Sequence, residues 1–129
     1  MNDKLMEIYN VLKANPVIAE KCENRIKFYE YPETADTSKA FMIITPLDIP
    51  SAFLYGSNDE LSVEFMYQVD VQSHSRQETK EIQIAVKNTL RENDFKQLSG
   101  GLDRYFSETK RYVDARRYKG ISKLYKTDY

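Results

Sequence analysis

From Val63 to Asn93 the chain reads VEFMYQVDVQSHSRQETKEIQIAVKNTLREN, and the spacing of its apolar residues changes once along the way. Val63, Phe65, Tyr67, Val69 and Val71 alternate with Glu64, Met66, Gln68, Asp70 and Gln72. A period of two describes a strand with one face buried. Ser75 and Glu78 then stand at capping-box spacing, where a hydroxyl and a carboxylate satisfy backbone N–H groups that a helix leaves open. Ile82, Ala85, Val86, Thr89 and Leu90 follow at helical spacing to about Glu92, with Lys80, Glu81, Lys87 and Arg91 outside. A half-buried strand that runs into an amphipathic helix makes a sheet with a helix on its apolar side.

Working outward toward the N-terminus, Leu5, Ile8, Tyr9 and Leu12 predict a helix over 3–14. Asn15-Pro16 ends it and opens a second, short helix to about Cys22, with Asn15 as N-cap. The stretch RIKFYEY, Arg25 to Tyr31, reads as a first strand closed by Pro32, and AFMIITPL, Ala40 to Leu47, as a central two-sided strand ending at Pro46. The segment 48–60, with SAFLYGSNDE at its heart, suggests a projecting hairpin arm. Beyond Asn93-Asp94 the reading predicts strands at about 94–99 and 111–119, with Ser99-Gly100-Gly101 as a turn between them. Leu102, Tyr105, Phe106 and Thr109 fit a helical turn as well. The expected fold class is α+β: one domain over 1–129, a mainly antiparallel β-sheet with the N-terminal helix and a helix at about 75–92 packed on one face.

The length of 129 residues is enough for one core without disulfides or metals. One cysteine, Cys22, rules out an internal disulfide framework, and a lone histidine, His74, removes the usual Cys/His zinc clusters. Charges at Asp3, Lys4 and Glu7 interrupt the apolar run a signal peptide needs, and no stretch approaches a membrane span. A soluble chain without membrane partners is expected. Charge is distributed unevenly. Residues 1–103 carry 11 basic and 17 acidic side chains, net −6, whereas 104–129 carry 8 and 3, net +5. Such polarity suits contacts between unlike patches, either within one subunit or between subunits.

Catalytic chemistry is poorly represented. Ser73-His74-Ser75 puts hydroxyls beside the imidazole in sequence, but neighbours rarely align as nucleophile and base, and Ser75 is used as a cap. Cys22 reads as a small buried hydrophobe. Ser99-Gly100-Gly101 lacks the lysine and hydroxyl of a phosphate-binding loop, and the acidic pairs Asp59/Glu60 and Glu30/Glu33 have no metal-loop spacing. No catalytic, cofactor or metal site is expected. The informative constellation is KRYVDARRYKG, Lys110 to Gly120. As a strand it places Tyr112, Asp114, Arg116 and Tyr118 on one face and Arg111, Val113, Ala115, Arg117 and Lys119 on the other. Arginine with tyrosine is a composition that protein interfaces enrich. A charged edge strand and a contact with DNA phosphates use the same side chains.

The ordered series of an N-terminal helix, Asn24-Arg25-Ile26, Tyr31-Pro32, Phe41 to Ile44, VEFMYQVDVQS, SRQETKEIQIAVKNTLREN and Tyr112-x-Asp114-Ala115-Arg116-Arg117-Tyr118 resembles the tail-terminator and tail-completion proteins of long-tailed bacteriophages. The resemblance implies a non-enzymatic virion protein that forms a homo-hexameric ring on the head-proximal end of the tail. Its implied partners are the tail tube protein and the head-completion or connector protein, with DNA only passing through the pore. It implies no cofactor. Assembly would take place in the host cytoplasm. On that footing Phe53, Leu54 and Tyr55 in the arm, together with Tyr112, Arg116, Arg117 and Tyr118, are the expected protein-interface residues. Another head-to-tail joining or minor tail component, a small nucleic-acid-binding domain and an enzyme are the alternatives.

Overall fold

The computed structural model describes residues 4–47, 51–55 and 60–123, with backbone pairing alone for 51–55, 60–63 and 122–123. Two helices open the chain, α1 (Lys4–Ala14) and α2 (Pro16–Cys22). Asn15 joins them in a way its chemistry explains. Its Oδ1 accepts from the backbone N–H of Val17 at 2.9 Å and of Ile18 at 3.3 Å, so α2 starts capped. Its Nδ2 donates to Thr89 Oγ1 at 2.9 Å and ties the helical corner to the long helix described below.

Six strands form one sheet: β1 (Ile26–Phe28), β2 (Phe41–Pro46), β3 (Ser51–Tyr55), β4 (Glu60–Ser73), β5 (Phe95–Phe106) and β6 (Arg111–Lys123). The helix α3 (Arg76–Glu92) lies between β4 and β5 in sequence. The strand order is β1-β2-β4-β6-β5, and β3 pairs with β4. Because β3 meets Glu60–Glu64 of β4 and β2 meets Tyr67–Gln72, the two follow one another along the same flank. Every pairing is antiparallel except β1 with β2. The α+β class expected from the sequence is the observed one.

The two faces of the sheet differ. Phe65, Tyr67, Val69 and Val71 of β4 are buried beneath the helices, where Ile8, Leu12, Ile18, Cys22, Ile82, Val86 and Leu90 meet them. Each such aliphatic side chain contributes about 1.5–3 kcal/mol through burial. Met66, Gln68, Asp70 and Gln72 point the other way, onto a face that no helix covers, and are only half-buried. Ser75 caps α3 as expected, its Oγ accepting from Glu78 N at 3.2 Å, while the Glu78 carboxylate lies 3.9 Å from Lys21 Nζ.

Four local expectations need correction. The first strand stops at Phe28, because Tyr29 takes φ 68°, which breaks an extended run before Tyr31. Ser99-Gly100-Gly101 is no turn between elements: β5 continues from Phe95 to Phe106 and is bulged between Gln97 and Gly101. Gly101 has φ 122°, and a Cβ there would stand 2.2 Å from the Ala115 carbonyl oxygen, so the bulge brings two backbones too close for any side chain. Leu102, Tyr105 and Phe106 therefore lie in a strand, and Thr109 in the tight connection to β6. Lys80, expected outside α3, is partly buried and points into the sheet.

Candidate functional site

The pleat of β6 divides the residues singled out in sequence. Register pairs Tyr67 with Tyr118, Val69 with Arg116 and Val71 with Asp114, which puts all three β6 side chains on the helix-covered face. Arg117 pairs with Gln68 and emerges, exposed, on the open face. Arg116, Arg117 and Tyr118 thus do not form one patch.

Tyr118 is 0% exposed and belongs to the core, which corrects its assignment to a protein interface. Its hydroxyl donates to Gln83 Oε1 at 2.9 Å, and Gln83 Nε2 donates to the Val69 carbonyl at 3.2 Å and the Asp114 carbonyl at 2.8 Å. Burial pushes the Tyr118 phenol well above its usual range. An aromatic with a polar tip is accommodated in the core because α3 supplies the acceptor.

Arg116 lies on the same face and is half-buried. Its Nε donates to Asp114 Oδ1 at 2.8 Å and Nη2 to Oδ2 at 3.1 Å, a two-pronged pair with a carboxylate that is 1% exposed. Lys80 Nζ reaches the same Oδ2 at 2.6 Å and also contacts Asp103. Burial alone would raise the Asp114 pKa, but the hydrogen bonds from Arg116 and Lys80 and their positive charges hold it below the ordinary carboxylate value. Arg116 is thereby an internal clamp across β5, β6 and α3, with Nη1 also 3.4 Å from Gln97 Oε1. The i, i+2 spacing of Asp114 and Arg116 on one strand face was the sequence signal for it. Tyr112 is half-buried at the end of this face, its ring 4.7 Å from that of Tyr105. The side chains of Phe53, Leu54 and Tyr55 lie outside the described residues; their backbone forms β3.

The open face has a composition of its own. Lys96, Arg104, Arg111, Arg117 and Lys119 of β5 and β6 stand on it, against Glu64 and Asp70 of β4. Lys119 Nζ pairs with Glu64 Oε1 at 2.8 Å. Arg104 sits over the Phe106 ring at 5.0 Å and Arg111 over the Phe41 ring at 5.4 Å. Arg111 Nε donates to Gln72 Oε1 at 3.1 Å, and Gln72 Nε2 donates to Asp70 Oδ1 at 3.3 Å. Burial, only partly offset by the Gln72 hydrogen bond and reinforced by Asp114 through the sheet, raises the Asp70 pKa. Guanidinium groups placed over aromatic rings give this part of the face a positive charge.

The remaining candidates are His74 and Cys22. His74 is exposed, with Nδ1 2.7 Å from the Lys110 carbonyl oxygen. Cys22 is buried, which pushes its thiol up to about 12 and keeps it protonated. Among the described residues no group of three His, Cys, Asp or Glu side chains could hold a metal ion, and no helix is long and apolar enough to cross a membrane.

No protein-family model matches this sequence, and no curated protein matches it. Among solved structures the chain is similar to one from the virion of a native gene transfer agent particle. The TM-score is 0.65 at 11% identity, over 90% of this chain and 91% of that one. The shared feature is the fold, matched nearly end to end.

Proposed function

We propose that the protein is a virion assembly component that acts by binding rather than bond-making: a tail terminator that caps the head-proximal end of a tail tube as a homo-hexameric ring. The observation that carries this reading is the end-to-end likeness of its fold to a chain of a gene transfer agent virion. The ordered sequence resemblance to tail terminators makes the reading specific. Tube protein and head connector are the partners it implies, and DNA passes through without being bound.

The open face suits the task. A rigid sheet with Arg104 and Arg111 seated on aromatic rings and Arg117 exposed offers a preorganised cationic surface to an acidic protein partner. Arg117 is the residue to test, because Arg116 is committed to Asp114 and reversing its charge would break the fold's own clamp. Purified protein mixed with the cognate tube protein is examined by negative-stain electron microscopy. Capped tubes of limited length, lost on Arg117→Glu with an unchanged unfolding midpoint, support the proposal. Uncapped tubes that grow without limit overturn it, and six-fold rings that attach only to connectors favour a joining component.

A further inference from the structure

We propose that the two lateral flanks of the sheet dock on one another between copies of this chain, the segment 29–33 that follows β1 in one copy seated on residues 102–105 of β5 in the next. The inference rests on the proposed ring and specifies its contact.

β1 and β5 stand at opposite ends of the order β1-β2-β4-β6-β5. Register places them level. One row across the sheet runs Lys27, Ile43, Asp70, Ala115 and Leu102, and another runs Phe41, Gln72, Val113 and Arg104. Tyr29 follows β1 directly, its N–H bonded to the Ile44 carbonyl oxygen at 3.1 Å, and Tyr31 stacks on the Phe41 ring with centroids 3.9 Å apart. The segment 29–33 therefore sits at one end of the rows whose other end holds Leu102 and Arg104. A second copy set beside the first in the plane of the sheet meets that end in matching rows, apart from the rotation that the twist of a sheet adds between its edges.

Each end exposes an apolar residue beside a charge. Tyr29 is 66% exposed. Its φ of 68° is a left-handed conformation that bulky residues seldom take, and strain of that kind clusters at functional sites. At the other end Leu102 is 40% and Tyr105 48% exposed, on a strand that pairs with β6 alone among the described residues and so leaves one row of backbone groups open. Charge matches as well. From Tyr29 to Ala40 the exposed charged residues are Glu30, Glu33, Asp36 and Lys39, an excess of acid. On β5 the Asp103 carboxylate is taken by Lys80, which leaves the exposed Arg104 as the outward charge beside Leu102. Tyr29 against Leu102, with Glu30 or Glu33 against Arg104, joins an apolar contact to an opposite-charge pair, as the core and rim of protein interfaces do. Because the two ends differ, the contact is heterologous, and it closes into a ring when the rotation per copy closes.

Two experiments on the full chain test the contact, each run with the cognate tube protein and imaged for rings and capped tubes, with circular dichroism verifying folding. Tyr29→Cys and Leu102→Cys are combined in one chain and oxidised mildly, with Cys22 left in place because its thiol is buried and protonated. A ladder of covalent oligomers ending at six is expected, about 100-fold more abundant than any dimer from either single variant, because docking raises the effective concentration of the two thiols. Separately, Glu30→Arg and Arg104→Glu should each need about 10-fold more protein to assemble, and their equimolar mixture should assemble like wild type, since alternating copies restore opposite charge at every contact. That rescue upholds the contact even where the cysteine pair fails to fold. Rings or caps with neither the ladder nor the rescue overturn the flank contact and leave the proposed function standing. A ladder that runs past six, without caps, upholds the contact and overturns the terminator reading. A single variant that dimerises as fully as the pair makes the contact two-fold and overturns the proposal. A chain that stays monomeric beside the tube protein overturns both.

Discussion

Asp114 and Asp70 sit one residue out of step on neighbouring strands, Asp114 paired with Val71 and Asp70 with Ala115, so they occupy opposite faces of one sheet. Beneath the helices Asp114 meets Arg116 and Lys80 within 2.8 Å and its pKa falls. On the open face Asp70 meets the Gln72 amide at 3.3 Å, has no cation in ion-pair reach among the described residues, and its pKa rises. The same side chain is stabilised in one place and strained in the other. On the covered face the carboxylate is matched by two cations, whereas on the open face Asp70 is matched only by a neutral amide.

The largest expected effect comes from breaking the covered side. Asp114→Ala leaves Arg116 and Lys80 facing each other without their shared carboxylate and should lower stability by about 3 kcal/mol, read from urea unfolding. Its pH signature follows from the lowered folded pKa. The contribution of Asp114 is fully present above the unfolded carboxylate value and is lost as pH falls through the lower folded value. Wild type and Asp114→Ala should therefore converge in stability only in strongly acidic solution.

Next in size is Gly120→Ala, with a loss of roughly 2 kcal/mol, since a Cβ there would stand 2.6 Å from the Phe95 ring in the core between β5 and β6. A thermal melt reads it directly. Tyr118→Phe is smaller, about 1–2 kcal/mol, because it strands the buried Gln83 Oε1 while keeping the aromatic packing. If Tyr118→Phe changed ring assembly and not the unfolding midpoint, the division between the faces would fail.

Much of the covered face was legible. The alternation from Val63 to Val71 and the helical spacing from Ile82 to Leu90 are strong periodic signals, and the structure extends or trims them by a few residues only. The sheet flank after Asn93 was less legible, for a physical reason. Two glycines at positive φ serve a turn and a strand bulge equally well, and what decides between them is Ala115, whose carbonyl oxygen approaches Gly101 from another strand. The site was misread at Tyr118 because burial of a tyrosine depends on an acceptor, Gln83, that lies 35 residues away in sequence. For Arg116 the carboxylate neighbour was visible at i−2, but the shared contact of that carboxylate with Lys80 of α3 was not, because Lys80 lies 34 residues away from Asp114 in sequence.

The smallest effect is the most diagnostic for the open face. Asp70 has a raised folded pKa, so folding is favoured most when it is protonated, and that advantage is lost as pH rises through the folded value. Asp70→Asn replaces the carboxylate with a neutral group of the same shape and should stabilise the isolated chain near neutral pH by a few tenths of a kcal/mol, within the range for a partly exposed site. The gain should disappear below the carboxylate range, where wild type is itself neutral. In an assembled ring the sign should reverse if a neighbour brings a cation to this face, because the carboxylate then acquires the partner that Asp114 already has. Measuring the variant's stability alone, and its assembly beside wild type, separates a residue that merely tolerates strain from one that waits for a contact.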